Sequence, residues 1–435
     1  MPRFKQAGHH FSPAGPGPDA LAPSLTGSAA DVGTDLTLGG LTHDMVKTSY
    51  EFSSKLKRRE RTFRAAGGLF SKDKVAKSTG LLIDQINPSA GDRILDYGCG
   101  YGAVGVALAD AAPDLDVQMI DSDIRAVRFA QKNVKANGAG GAHVVLDHTL
   151  DRFRNGHFNL VALNPPVDEG TETIFEMIER AQAKMRHGGQ FFLVAKASRG
   201  ARSYMKKLGE IIGPTKVVRR SGGYWVMRAE RSPIRPPEAV DLERYEHTVE
   251  SVLRGRKYRF QTRAGIFSRK DIDEGTRLLI ETIEVRPRHS IIDVGCGYGP
   301  IGIVAAHLAS VGRVVMVDCN ARAVEYASQN IQSHHLNHAR KNGKPRVEAV
   351  LGDRFDAVPG ERFDRVLSNP PFHSGNDVLF PLVDEAYGHL RVHGRLYLVL
   401  MRYAGVRRHM HKMFGNVSVA ADDGKYVVLM SERTF

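Results

Sequence analysis

Residues 367–375 read LSNPPFHSG. Asn369 carries a side-chain oxygen that accepts hydrogen bonds, and the carbonyl of Pro370 lies next to it. Proline has a fixed φ and no N–H, so Pro370 and Pro371 hold these acceptors rigidly. Phe372 offers a flat face on which an unstacked ring can lie. A near-copy, ALNPPVDEG, stands at 162–170 without the aromatic residue. Upstream, IIDVGCGYGPIG at 291–302 places Gly295, Gly297 and Gly299 where a strand must turn tightly into a helix and admit a ligand. The next acid at a strand end is Asp318, 25 residues after Asp293. A carboxylate there can accept both hydroxyls of a ribose.

These residues belong to a chain that repeats itself. ILDYGCGYGAVG at 94–105 and IIDVGCGYGPIG at 291–302 agree at 8 of 12 positions, an offset of 291 − 94 = 197. GGLFS at 67 and AGIFS at 264 keep that offset, as do Asp121 and Asp318. The Asn-Pro-Pro strings lie 369 − 164 = 205 apart, and the extra eight residues fall in HHLNHARKNGKP. A constant offset with one local insertion is the mark of a duplicated domain.

Each copy alternates apolar runs with helical stretches, as in SIIDV, PIGIVAAHLA, RVVMVD and ARAVEYASQNI. That pattern implies a parallel sheet with helices on both faces. NVSVAADDGKYVVLMSE closes the second copy with a hairpin signal, and TKVVRRSGGYWVMRAE closes the first. Residues 1–40, rich in Pro, Gly, Ala and Ser, read as a disordered lead-in. The expected domains are 45–230 and 243–435, joined by a proline-rich linker at 231–242.

The glycine loop resembles the cofactor loop of class I S-adenosylmethionine-dependent methyltransferases. It is less similar to the nicotinamide fingerprint, because its third glycine comes one residue early. The resemblance implies two tandem Rossmann-like domains, each a mostly parallel seven-stranded sheet ending in an antiparallel hairpin. It implies that Asp293 and the loop backbone hold the methionyl part of the cofactor, that Asp318 binds the ribose, and that Asp353 in VLGDRFD addresses the adenine amine. Asn-Pro-Pro-aromatic resembles the motif of methyltransferases acting on an amine conjugated to a carbonyl or ring. There the acceptors take the two N–H hydrogens and free a delocalised lone pair.

YRFQTRAGIFSRKDIDEGTRLLI, DVGCGYG and SNPPFHSG together are similar to the ribosomal RNA guanine-N2 methyltransferases, of the small-subunit type. The resemblance implies catalysis by Asn369, Pro370, Pro371 and Phe372 in the second copy. The first copy is expected to be degenerate, serving RNA binding or structure. It keeps Asp96, Gly98, Gly100, Gly102 and Asp121, but has Val167 for the aromatic and VAKSTG for IDEGTR. Asp147 is its candidate for the adenine-pairing acid. Methylation of a protein glutamine, and a non-catalytic RNA-binding scaffold, are the alternative readings.

A net charge of +13 agrees with a polyanionic partner, either ribosomal RNA or a ribosomal subunit. KLKRRERTFR at 55–64 and RGRKYRFQTR at 254–263 are expected to touch its backbone. The histidines of SHHLNH at 333–338 lack a matching Cys or carboxylate cluster, so no metal is expected. Three cysteines, no apolar run long enough for a bilayer and no secretion signal point to a cytoplasmic protein without membrane contact. A monomer is expected.

Overall fold

The computed structural model describes residues 49–233, 241, 243–340, 343, 345–371, 375–401 and 404–435. The lead-in at 1–40, most of the linker and Phe372 therefore lie outside the described residues. Residues 48–435 form one compact unit.

Two seven-stranded sheets carry the chain. In the second, the spatial order is Val347–Leu351, Val314–Asp318, Ile291–Val294, Phe363–Ser368, Leu390–Leu400, Val427–Glu432 and Ser418–Asp422. The first five run parallel and the last two antiparallel. The first sheet repeats this order, from Ala142–Leu146 at one edge to Thr215–Ser221 at the other. The expected fold class is therefore borne out, down to both terminal hairpins. Ile291, Ile292 and Val294 are buried because helices cover both faces of the sheet. Apolar clusters on either side, one around Ile303 and Met316 and the other around Val315 and Val383, fill that volume.

Ahead of each sheet stands a hairpin, Ser49–Leu56 with Arg59–Ala66 and Glu246–Leu253 with Arg256–Arg263. The basic stretches lie in these hairpins, and several of their side chains are paired within the protein. Lys57 takes a positive φ of 47° at the turn, and its Nζ donates to Ile86 O at 2.5 Å and to Asn87 Oδ1 at 3.0 Å. Arg59 pairs with Asp110, and Arg64 pairs with Glu51 at 2.6 Å. In the second copy Arg254 donates to Ile280 O at 2.9 Å and to Ile283 O. Of Lys57, Arg58 and Arg59, Arg58 alone has no partner among the described residues. These contacts help close each domain, while Lys55, Arg58 and Lys257 stay exposed.

The two domains meet about a local two-fold relation. The Ile124 N–H donates to Cys319 O at 2.9 Å, and the Ala321 N–H donates to Ser122 O at 2.8 Å. Ile124 and Ala321 are equivalent positions, 321 − 124 = 197. Beside this seam Glu176 is fully buried and faces Arg180 at 2.7 Å, Arg263 at 3.0 Å and Arg322 at 3.3 Å. Burial alone would raise its pKa, but Arg322, Arg263 and Arg180 outweigh it and hold the carboxyl below the usual range.

Replacing Glu176 by Ala leaves three guanidiniums without their anion, at an expected cost of about 3–5 kcal/mol in a denaturation titration. Because the folded-state pKa is lowered, the stabilisation from ionised Glu176 is present above the unfolded value near ~4.3 and lost as pH falls through the folded one. A Glu176→Ala protein with an unchanged denaturation midpoint at neutral pH would show that the seam does not rest on this cluster.

Candidate active site

The site is built at the carboxyl edge of the second sheet, where four neighbouring strands end. Asp353, Asp318, the glycine loop and Asn369 follow one another across three strand spacings, about 14 Å. Gly295, Gly297 and Gly299 have φ of 76°, 57° and 93°, which a side chain disfavours. A Cβ at Gly295 or Gly297 would meet only open space, whereas one at Gly299 would stand 3.2 Å from Met316 Sδ. The first two glycines thus leave a cradle for a ligand, and the third lets the helix Pro300–Leu308 press on the strand beneath.

Asp293 is fully buried below this cradle. Its Oδ2 accepts from the Gly302 N–H at 2.8 Å, while Oδ1 has no partner. Burial pushes its pKa up to about 7. Asp318 lies half-buried, Oδ2 accepting from Gly297 N–H and Oδ1 from Asn320 N–H, both at 2.9 Å. Each oxygen keeps a second lone pair for a hydroxyl donor. Burial raises its pKa as well, against those two N–H groups. Asp353 follows the next strand, 3.3 Å from Arg354 Nη1. Its pKa is raised by burial, opposed by Arg354 and by Arg125 of the first domain. A cradle open at Gly295 and Gly297 and flanked by aligned carboxylates, with Asp293 Oδ1 lacking a partner among the described residues, fits a nucleoside carrying a charged amino-acid tail.

Asn369 gives the site its direction. Its Nδ2 donates to Thr276 Oγ1 at 2.8 Å and to Asp273 Oδ2 at 3.0 Å. A carboxylate at neutral pH only accepts, so the NH2 group must face Asp273 and the oxygen must face away. Oδ1 is buried and unpartnered. Pro370 is buried and Pro371 exposed, and the segment returns to the described residues at Gly375 before the helix Asn376–His389. Asp377 in the first turn of that helix pairs with Lys72, which belongs to the first domain. The helix after 372–374 is thus tied to the first domain.

Asp273, Thr276, Lys72 and Asp377 were not among the residues expected from sequence. The contrast between IDEGTR and VAKSTG was the available signal. Its meaning appears when the copies are compared. Asn164 donates to Thr79 Oγ1 at 3.0 Å, but Ala76 stands where Asp273 would be, because 76 + 197 = 273. Val167 opens a short 3-10 turn that brings in Glu169, whose pKa burial pushes to about 7, with Asp121 and Asp123 adding to the rise. Asp147 does not match Asp353. The Asp147 N–H bonds Asp121 O and the Gly352 N–H bonds Asp318 O, both at 3.0 Å, so Asp147 takes the glycine's place. His148 takes that of Asp353 and turns to Glu325 of the second domain at 3.1 Å. The adenine-pairing acid expected in the first copy is thus replaced by a histidine engaged across the interface.

The methyltransferase small domain family matches residues 60–228 and again 257–430. The chain belongs to that family and carries its domain twice. YbxB, an uncharacterized protein of Bacillus subtilis (strain 168), is 30% identical over 182 residues, 41% of this chain and 90% of its own length. The ribosomal RNA large subunit methyltransferase G of Shewanella amazonensis is 25% identical over 362 residues, covering 81% of this chain and 89% of that protein. The Thermus thermophilus 16S rRNA N2 G1207 methyltransferase, solved with AdoMet and guanosine, superposes with a TM-score of 0.74 at 23% identity. That match covers 88% of this chain and 98% of the other. The class of enzyme expected from the motifs is borne out. Among the described residues no group could hold a metal ion, and no helix is long and apolar enough to cross a membrane.

Serine caps a helix about as well as aspartate but is too short to reach Asn369. Asp273→Ser is therefore expected to keep the fold while lowering kcat by roughly 5–100-fold, the range for one charge-assisted hydrogen bond. Cofactor affinity by calorimetry should stay within about twofold, the change being confined to the acceptor side of the site. An unaltered kcat would remove Asp273 from the positioning of the amide.

Proposed function

We propose that this chain transfers a methyl group from S-adenosylmethionine to the exocyclic N2 amine of a guanine in ribosomal RNA, with the reaction in the second domain. The observation that carries the reading is the buried, unpartnered Oδ1 of Asn369, held with both N–H groups of its amide already committed. The family match and the two rRNA-modifying relatives support the same reading. The motif resemblance favours the small subunit, while the Shewanella relative is a large-subunit enzyme, so both belong in the assay.

When bound, S-adenosylmethionine supplies an electrophilic methyl on a sulfonium. Asp318 would hold the ribose hydroxyls, Asp353 the adenine amine, and the backbone of Gly295 and Gly297 would admit the chain between them. The guanine amine is a poor nucleophile because its lone pair is delocalised into the ring. Asn369 Oδ1 and the Pro370 carbonyl would accept its two N–H hydrogens and draw the nitrogen toward tetrahedral geometry. The lone pair freed in this way would face the methyl that S-adenosylmethionine supplies, and the proton shed by the alkylated amine would pass to solvent water. Interactions that strengthen as the nitrogen pyramidalises act on kcat more than on affinity. Phe372 would support the base by stacking.

Single-turnover transfer of radiolabelled methyl to unmethylated small and large subunits and their rRNAs, with a protein control, tests the assignment. Asn369→Ala is expected to abolish transfer and Asn164→Ala to leave most of it. Equal inactivity in two folded variants would place catalysis elsewhere than in the second copy alone. Asp318→Ala is expected to weaken S-adenosylmethionine binding by about 1.5–3 kcal/mol in calorimetry, and an unchanged Kd would take Asp318 out of the cofactor site.

A further inference from the structure

The amino edge of the second sheet, opposite the catalytic edge, holds a cleft of about 520 Å³ lined by Arg288, Arg313, Arg340, Arg362 and Arg391, with Glu361 as its one acid. The duplication supplies an internal comparison. A cleft of about 370 Å³ on the amino edge of the first sheet, which shares with it only the positions Gly91/Arg288 and Arg186/Arg391, is lined by Asn87, Asp92, Asn159, Gln190 and one arginine, Arg186. Position by position, Gly91 stands for Arg288 and Asp116 for Arg313 (offset 197), while His157 stands for Arg362 and Arg186 for Arg391 (offset 205). Arg340 lies in the insertion found only in the second copy. Over this lining the second copy has gained four arginines and Glu361 (Gly156 in the first copy), and has lost Arg93 (Ser290) and two aspartates, Asp114 (Val311) and Asp116.

Part of that charge is used locally. Arg313 pairs with Glu348 at 2.6 Å and with Glu361, and Arg391 pairs with Asp364 at 2.7 Å. Arg362 meets only carbonyls, Gly388 O at 2.5 Å and Leu390 O at 3.2 Å, which fix its guanidinium without neutralising it. Arg288 and Arg340 are exposed and have no carboxylate partner among the described residues. Three uncompensated guanidiniums converge on one concave surface. Planar forks of N–H donors suit the non-bridging oxygens of phosphodiesters.

We propose that this cleft is a second docking site for the rRNA substrate, gripping its phosphate backbone at a distance from the reacting guanine. The proposal rests on the rRNA reading given above. The six-residue strand Phe363–Ser368 runs directly from Arg362 to Asn369, so the two contacts lie about 20 Å apart along one element. The rigid strand sets the spacing between the phosphate grip and the target base. Backbone contacts of this kind position a nucleic acid without reading its sequence.

The test compares Arg288→Gln/Arg340→Gln/Arg362→Gln with Arg186→Gln, which removes the arginine of the first domain's cleft. Both are titrated with unmodified small- and large-subunit rRNA transcripts across salt. Loss of three phosphate contacts should make the slope of log K against log salt shallower by about 2 and raise the KM for RNA about tenfold or more. Saturated kcat and S-adenosylmethionine affinity should not move, and Arg186→Gln should behave as the unsubstituted protein. If the triple variant is unstable, Arg288→Gln/Arg340→Gln, which breaks no internal bond, should show a smaller shift of the same kind. Unchanged RNA affinity and salt slope overturn the proposal. So does a defect seen with assembled subunits but not with naked RNA, which would make the partner a ribosomal protein. A protein that binds RNA through the cleft yet methylates neither transcript would instead refute the proposed reaction and leave the docking site standing.

Discussion

A primary amide presents its oxygen in a defined direction only when its two N–H groups are satisfied elsewhere. In this protein that constraint falls on Asn369. Thr276 Oγ1 takes one N–H and Asp273 Oδ2 the other, and the amide cannot flip without turning its oxygen toward the carboxylate. Asp273 is itself fixed as the N-cap of the helix Glu274–Thr282, where it accepts from the Thr276 N–H at 2.9 Å. The helix start and the catalytic amide therefore share one carboxylate. An unfilled buried acceptor is costly in a resting protein, which is why such atoms are rare outside functional sites. In the proposed reaction a substrate N–H would offset that cost at Asn369.

The two-domain arrangement serves the same end. The ribose-acid loops of the two copies lie back to back at the seam, and Lys72 reaches from the first domain to the helix that follows the Asn-Pro-Pro segment. Arg125, paired with Asp123, faces Asp353 of the neighbouring copy. The first domain thus contributes charge to the surroundings of a site whose catalytic residues it does not carry. Its own candidate site has meanwhile taken on Glu169 beside Asp121, a second carboxylate where a ribose acid already stands. Like charges in one enclosure disfavour ionisation of either, and a ribose-binding acid needs to be an anion.

Much of this was legible in the sequence because duplication makes periodicity visible. The parallel sheet, both terminal hairpins and the placement of Asp293, Asp318, Asp353 and Asn369 at strand ends were readable from apolar runs and motif spacing, and the seven-stranded layout from the resemblance. What stayed hidden depends on contacts between residues far apart in the chain. Asp273 lies 96 positions from Asn369, and Lys72 lies 305 from Asp377. The partners of the basic hairpins were hidden for a related reason: charge can be counted in sequence, but its internal partners cannot. Asp147 was misread because an aspartate one position from the expected register looks equivalent until backbone hydrogen bonds set the alignment.

The differences between the copies fall into a pattern that follows from which side chains a packed sheet can spare. Residues that make the fold persist in both: Gly102 and Gly299 lie against Met119 and Met316, and Asp96 and Asp293 each accept a helix-start N–H at 2.8 Å. Those bonds retain a structural value whether or not a ligand is bound, so a copy released from catalysis keeps them. Where the second copy has Asp273, Phe372, Arg288, Arg313 and Arg362, the first has Ala76, Val167, Gly91, Asp116 and His157. The intact glycine loop of the first domain therefore says little about activity. Its missing aspartate beside Asn164 says more.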